Sequence, residues 1–105
     1  MNETEFAALA DNTLTRIEHS LEASGADLDF ELADGGVLEI ELADGGKIIV
    51  NKHAAAQEIW VAARSGGFHF CYRDESWHDT RDGEELFAKL SRVLSEQAGE
   101  PIRLG

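Results

Sequence analysis

Five carboxylates stand close enough along the chain to be offered together to a cation: Glu18 and Glu22, four apart, then Asp27, Asp29 and Glu31, two apart. Carboxylates are hard oxygen ligands, suited to Fe²⁺, Fe³⁺, Mn²⁺, Ca²⁺ or Mg²⁺ and poorly suited to a tight Zn²⁺ or Cu⁺ site. Neighbours two apart on a strand lie about 6.7 Å apart and an i, i+4 helical pair about 6 Å, whereas one cation needs its oxygens within about 2 to 2.6 Å. Such a ridge therefore holds ions loosely, through one or two carboxylates and water. Asp27-x-Asp29-x-Glu31 is not the start of an EF-hand loop, because Leu32 occupies the position where the sharp turn needs glycine. His19, beside Glu18, is the one nitrogen ligand within reach, although a surface histidine without a role is the plainer reading. The plainer reading of the whole stretch is a solvated, solubilising face.

The charge distribution weakens that plainer reading without displacing it. Twelve of the 21 acids precede residue 47 and only Arg16 accompanies them, giving that segment a formal charge of −11 within a chain whose total is −12. From Lys47 onward, 9 acids face 8 bases. A field this lopsided attracts cations or a basic protein surface and repels phosphate, so nucleic acid is not an expected ligand.

Two elements must position the ridge. Asn2 with Glu5 has the form of a capping box, and Phe6, Leu9, Ala10, Leu14, Ile17 and Leu21 recur at helical spacing behind it, which predicts a helix over 3–23. Gly25 should end it in the left-handed conformation. The period then changes to two, with Asp27, Asp29 and Glu31 alternating with Leu28, Phe30 and Leu32 as on a half-buried strand. The hexapeptide Glu-Leu-Ala-Asp-Gly-Gly occurs at 31–36 and again at 41–46, and Asp-Gly is a hairpin turn pair. The pattern predicts a meander with strands at 27–33, 37–43 and 46–51. Further strands are expected at 58–63, at 68–73 after the turn Ser65-Gly66-Gly67, and around 77–79. Asp82 with Glu85 resembles a second capping box, opening a helix over 83–97 that Gly99 and Pro101 end; Ile102 and Leu104 are placed to dock a short tail. The expected fold is α+β, a two-layer sandwich with the N- and C-terminal helices on one face of an antiparallel sheet and solvent on the other, as one domain over 1–105.

No other constellation carries chemistry. His19, His53, His69 and His78 lack HxxxH or HExxH spacing, and Cys71 is the only cysteine, which excludes an intrachain disulfide and any CxxC site. No G-x-S-x-G, P-loop or G-x-G-x-x-G occurs, so the chain is not expected to be an enzyme. The first twenty residues lack a signal-like apolar run and no segment approaches the roughly 18 apolar residues of a membrane span, so a cytoplasmic protein is expected. Trp60 alternates with Glu58 and Ala62, opposite Ile59, Val61 and Ala63, which points it outward as an anchor for a partner or leaves it packed under a loop. Trp77 reads as structural.

The order of these elements, the acidic first helix and strand, and the segment Asn51-Lys52-His53-Ala54-Ala55-Ala56-Gln57-Glu58-Ile59-Trp60 together resemble the frataxin family, in its bacterial CyaY group. Lys47-Ile48-Ile49, Gly66-Gly67-Phe68-His69-Phe70 and Gly83-Glu84 add to the likeness, which covers essentially the whole chain. The resemblance implies a non-enzymatic iron-binding protein of iron–sulfur cluster assembly, monomeric when iron-free. It implies that Glu18, Glu22, Asp27, Asp29 and Glu31, with His19, hold iron weakly. Glu18, Glu22 and Asp27 would also dock on a basic surface of the cysteine desulfurase, while Asn51 and Trp60 face the scaffold protein. Where the family usually has Gln, Pro and Gln, this chain has His53, Ala55 and Gln57-Glu58, and the missing Pro implies a looser connection into the Trp60 strand. The alternative is a metal-independent acidic module that inhibits a basic enzyme surface. An iron oxidase is a third reading, and it is disfavoured because it needs two ions about 3.5 to 4 Å apart.

Overall fold

A computed structural model describes all 105 residues. Helix α1 spans Glu3–Ala23, and its capping box is formed: Asn2 Oδ1 accepts from Glu5 N–H at 2.7 Å while Glu5 Oε1 accepts from Asn2 N–H at 3.3 Å. Such a cap is worth about 1 kcal/mol. Gly25, at φ +69°, turns the chain out of the helix. Six strands follow as β1 (Leu28–Ala33), β2 (Val37–Leu42), β3 (Lys47–His53), β4 (Glu58–Ala63), β5 (Gly66–Arg73) and β6 (Ser76–Asp79), and helix α2 (Leu86–Ala98) closes the order. The strands form one antiparallel meander, β1 to β6, each paired with the next in sequence. This is the α+β sandwich expected from the sequence.

The register decides which side chains meet. Leu28 pairs with Leu42, Phe30 with Ile40, and Leu38 with Val50, so one face of the sheet is aliphatic. Against it pack Phe6, Ala10, Leu14, Ile17 and Leu21 of α1 and Leu86, Leu90, Val93 and Leu94 of α2, in a single core of 21 buried apolar residues. Trp77 lies in that core at 3% exposure, its Nε1–H donating to Thr13 Oγ1 at 2.9 Å, so its role is structural, as read. Ile102 and Leu104 are buried as well, and the tail is tied down where Ser95 Oγ donates to Ile102 O and Ser91 Oγ accepts from Leu104 N–H.

Several boundaries differ from the sequence reading by one to three residues, β3 running to His53 instead of 51, and two of them have a visible cause. Helix α2 begins at Leu86, not at Gly83, because the N-cap is Glu85, whose carboxylate accepts the Phe87 and Ala88 N–H groups at 2.9 and 3.2 Å. Asp82 forms no capping box; it accepts from Glu84 N–H and from Lys89 Nζ instead. Strand β5 also starts earlier, at Gly66, because the Ala63–Gly66 pair leaves a two-residue turn at 64–65. The connection into the Trp60 strand, expected to be loose, is held by three hydrogen bonds, Gln57 N–H to Ala54 O, Ala56 N–H to His53 Nδ1 and Gln57 Nε2 to Met1 O.

Lys89 is the structural feature the sequence did not disclose. It is 2% exposed, and its ammonium lies 2.7 Å from Asp82, 3.0 Å from the equally buried Asp79 and 3.3 Å from Glu84, above the Phe68 ring. Burial works against charge on both Lys89 and Asp79, but the hydrogen bonds among them, with Arg81 N–H on Asp79, outweigh it. The net result is a raised Lys89 and a depressed Asp79; Asp82 is depressed by its bonds to Lys89 and Glu84 N–H. Removing the cation would leave a buried carboxylate uncompensated, so Lys89→Met is expected to lose about 3 to 5 kcal/mol in urea unfolding. The carboxylate contribution is present above their ordinary value of 3.8 and is lost as pH falls below it; the Lys89 contribution is lost as pH rises past 10.5 and through its raised folded value. A wild-type melt that weakens at both extremes, with the Lys89→Met melt flatter, is the expected outcome.

Candidate functional site

Alternation along β1 sends Asp29 and Glu31 to the sheet face away from the helices, because Leu28 and Phe30 take the core side. The register then places Asp29 directly opposite Glu41 and Glu31 directly opposite Glu39, making a two-by-two block of carboxylates on the open face of β1 and β2. Asp27, Asp29 and Glu41 line one shallow recess at this edge. Like charges facing each other across a ladder oppose pairing. Only one cation relieves them: Lys47, paired in register with Glu41, reaches Glu39 at 2.9 Å.

The remaining candidates rise from the other layer. Glu18, His19 and Glu22 sit on the last turns of α1, Glu18 half-buried and the other two exposed. Asp27, in the connection from α1 to β1, is exposed and lies between the two groups in sequence. None of Glu18, Glu22, Asp27, Asp29 and Glu31 forms an ion pair, although three bases from residue 47 onward reach other acids of the N-terminal segment. Lys47 holds Glu39, Lys52 holds Asp11 at 2.7 Å after passing over the bare Cα of Gly36, and Arg64 holds Asp44 at 3.4 Å. No three His, Cys, Asp or Glu side chains come together as they would around a single ion. Asp29, Glu31, Glu39 and Glu41, with Asp27 at their edge, form an open array of oxygens able to take part in loose, water-mediated coordination or in pairing with a basic side chain, while Glu18, His19 and Glu22 stand on the helix layer and do not line the recess at that edge.

Glu39 and Glu41 were not singled out from sequence, yet the signal was there: a three-residue Asp34-Gly35-Gly36 turn pairs Ala33 with Val37, and every later pair follows.

The same open face carries Trp60. Ile59 and Val61 are buried beneath the helices while Trp60, paired with Asn51 on β3 and His69 on β5, is half-buried on the solvent side. Its indole stands between two imidazoles, His53 at 3.9 Å and 9° and His69 at 4.4 Å and 10°. Its Nε1–H donates to Glu58 Oε1 at 2.8 Å, and His69 Nδ1 lies 3.8 Å from the same oxygen. His53 Nδ1 accepts from Ala56 N–H, which fixes the tautomer with its proton on Nε2. Trp60 is therefore a clamped aromatic slab whose edge, not its face, meets solvent. Asn51, also half-buried, donates to Lys52 O at 3.3 Å.

The sequence profile of the frataxin-like domain matches residues 1–100. This chain belongs to the frataxin family. It is 64% identical over 104 residues to the iron–sulfur cluster assembly protein CyaY of Dechloromonas aromatica, covering 99% of each chain. It is 52% identical over 108 residues to the protein of that name in Cupriavidus necator, covering 100% of this chain and 97% of that one. Among solved structures, frataxin from Psychromonas ingrahamii matches with a TM-score of 0.90 at 34% identity, covering 98% of this chain and 97% of that one. Trimeric frataxin of Saccharomyces cerevisiae, complexed with ferrous iron, matches with a TM-score of 0.68 at 25% identity, covering 95% and 88%. These likenesses place the chain in the bacterial CyaY group of frataxins.

In this frataxin the two facing carboxylate pairs should cost stability. Glu31→Gln and Glu41→Gln are each expected to raise the unfolding free energy by about 0.2 to 1 kcal/mol in low-salt urea titrations, with the gain shrinking as salt rises. A loss of stability at low salt would show that these carboxylates do not repel one another.

Proposed function

We propose that this protein, acting as one frataxin-like domain over 1–105, is a non-enzymatic, cytoplasmic regulator of iron–sulfur cluster assembly. It carries iron weakly as cargo and docks its acidic surface on a basic face of the cysteine desulfurase. The observation that carries this reading is the set of acids, Glu18, Glu22, Asp27, Asp29 and Glu31, left without a basic partner while neighbouring acids have one. Full-length relatives that bear the name iron–sulfur cluster assembly protein, and a yeast frataxin complexed with ferrous iron, support it. Asn51 and Trp60, on the open sheet face, are the contacts proposed for the scaffold protein. The iron-free protein is proposed to be a monomer.

Iron would be shared by exposed carboxylates and water, with His19 at the margin of the array, and Glu39 and Glu41 join the proposed ligands because the register sets them against β1. Cations that bind the native state but not the unfolded one raise the melting temperature by linkage, and here they would also relieve repulsion. Docking driven by such a field is fast at low salt and weakens as the Debye length falls to about 8 Å near physiological ionic strength.

The absence of any three converging ligands favours, as a second reading, a metal-independent acidic module acting on the same enzyme surface. Two measurements separate them. Asp27→Lys/Asp29→Lys is expected to weaken desulfurase binding by about tenfold or more, the loss of roughly 1.4 kcal/mol, while Trp60→Ala leaves that binding unchanged and weakens binding to the scaffold. Unchanged desulfurase affinity in the double reversal would remove the acidic surface from the mechanism under both readings. Anaerobic Fe²⁺ titration followed by NMR is then expected to broaden the amides of 18–31 and 39–41 ahead of the rest. Uniform or absent broadening, with desulfurase docking intact, would leave the metal-independent module.

A further inference from the structure

Cations are scarce in this chain, and nearly all of them are engaged. Of the nine lysines and arginines, Lys47, Lys52, Arg64, Arg73, Lys89 and Arg92 each pair with a carboxylate. Arg81 donates to Gly67 O at 2.6 Å. The remaining two, Arg16 and Arg103, form neither an ion pair nor a hydrogen bond, and both line the same cavity.

That cavity, about 620 Å³, opens on the helix layer between α1, α2, β6 and the C-terminal tail. Its volume falls within the roughly 300 to 1,000 Å³ of small-molecule sites. Trp77, Phe87 and Leu104 form a buried apolar floor, with Tyr72 half-buried beside them. The Arg16 guanidinium lies over the Phe87 ring, 4.9 Å from its centroid, and its N–H groups have no hydrogen-bond partner in the protein. Arg103 is exposed at the rim.

We propose that this cavity binds a small organic monoanion, a carboxylate attached to an aromatic or branched apolar body. The body would lie on the Trp77–Phe87 floor, and the carboxylate would take guanidinium hydrogen bonds, the planar fork being the donor best matched to it. A single negative charge is specified by the surroundings. The protein as a whole carries −12, and two carboxylates also line the cavity. Of these, Glu85 is engaged in capping α2, accepting the Phe87 and Ala88 N–H groups, and Glu75 is exposed. A dianion such as a phosphate ester would meet the same repulsion twice. The site lies on the layer opposite Trp60 and the β1–β2 carboxylate block and contains none of the residues proposed above to hold iron or a partner.

The test is a ¹H–¹⁵N NMR titration of the full chain with 3-phenylpropionate, against its neutral isostere 3-phenylpropanamide. Saturable shifts of the Trp77 Nε1–H and the Ala88 and Leu104 amides are expected, with a Kd of about 1 mM or tighter, while the amide binds about tenfold more weakly. Arg103→Gln and Arg16→Gln should each weaken the acid and leave the amide unchanged. Arg103 is exposed and makes no contact that folding requires, so its variant keeps the test sound if loss of the Arg16–Phe87 stacking disturbs the helix pair. No saturable shift with the acid, or equal affinity for acid and amide, would overturn the proposal and reduce the cavity to an apolar gap between helices.

Discussion

A single-sided core governs this molecule. Both helices lie on one face of a six-stranded meander, so each strand residue is committed by parity alone either to the aliphatic layer or to the open face. A slip of one residue would exchange the two sets, burying Asp29, Glu31, Glu39 and Glu41 and exposing Leu38, Ile40 and Phe30. Burying even one of those carboxylates unpaired costs several kcal/mol, so the correct register wins by a margin that cross-strand repulsion does not approach. The core thus tolerates an unfavourable charge pattern on the surface opposite it.

The distribution of cations follows the same division. Lys47, Lys52 and Arg64 neutralise acids along β2, α1 and the second hairpin turn, and Lys89 satisfies three carboxylates where α2 meets β6. The pairing around Lys89 is structural, because Asp79 is buried and has no water to fall back on. On β1 no base arrives. The exposed acids there remain hydrated when unpartnered, so they destabilise the fold mildly and leave a strong field outside it. Buried charge in this protein is compensated from within, and exposed charge on the β1 edge is left to water.

Much of this was legible in the sequence because periodicity is a local property. The shift from helical spacing in α1 to alternation in β1 marked both elements, and the repeated Asp-Gly-Gly marked the hairpins. The outward direction of Trp60 followed from Ile59 and Val61. What was missed depends on which residues lie across from which. Glu39 and Glu41 join Asp29 and Glu31 only once the first hairpin is counted through its turn, and His69 reaches Trp60 only through the β4–β5 register. The Asp82–Glu85 spacing misled for a related reason. Both residues accept N–H groups, but Lys89, about one turn into α2, draws Asp82 toward itself and leaves Glu85 as the cap.

The clamped indole bears on how the open face can meet a partner. An exposed tryptophan usually contributes to an interface by offering a ring face, and ordering its side chain offsets part of that gain. Trp60 cannot offer a face, because His53 and His69 cover both. Nor does it have much freedom to lose, since Glu58 holds its Nε1–H. The surface presented is a row of three parallel ring edges standing on β3, β4 and β5, with a carboxylate at its side. Ring edges carry the positive end of the aromatic quadrupole, so such a row favours carbonyl or carboxylate oxygens and aliphatic side chains laid across it over an inserted aromatic. The open face of this sheet therefore carries two different surfaces: a block of carboxylates on β1 and β2, and, a few strands away, a stacked row of ring edges beside Glu58.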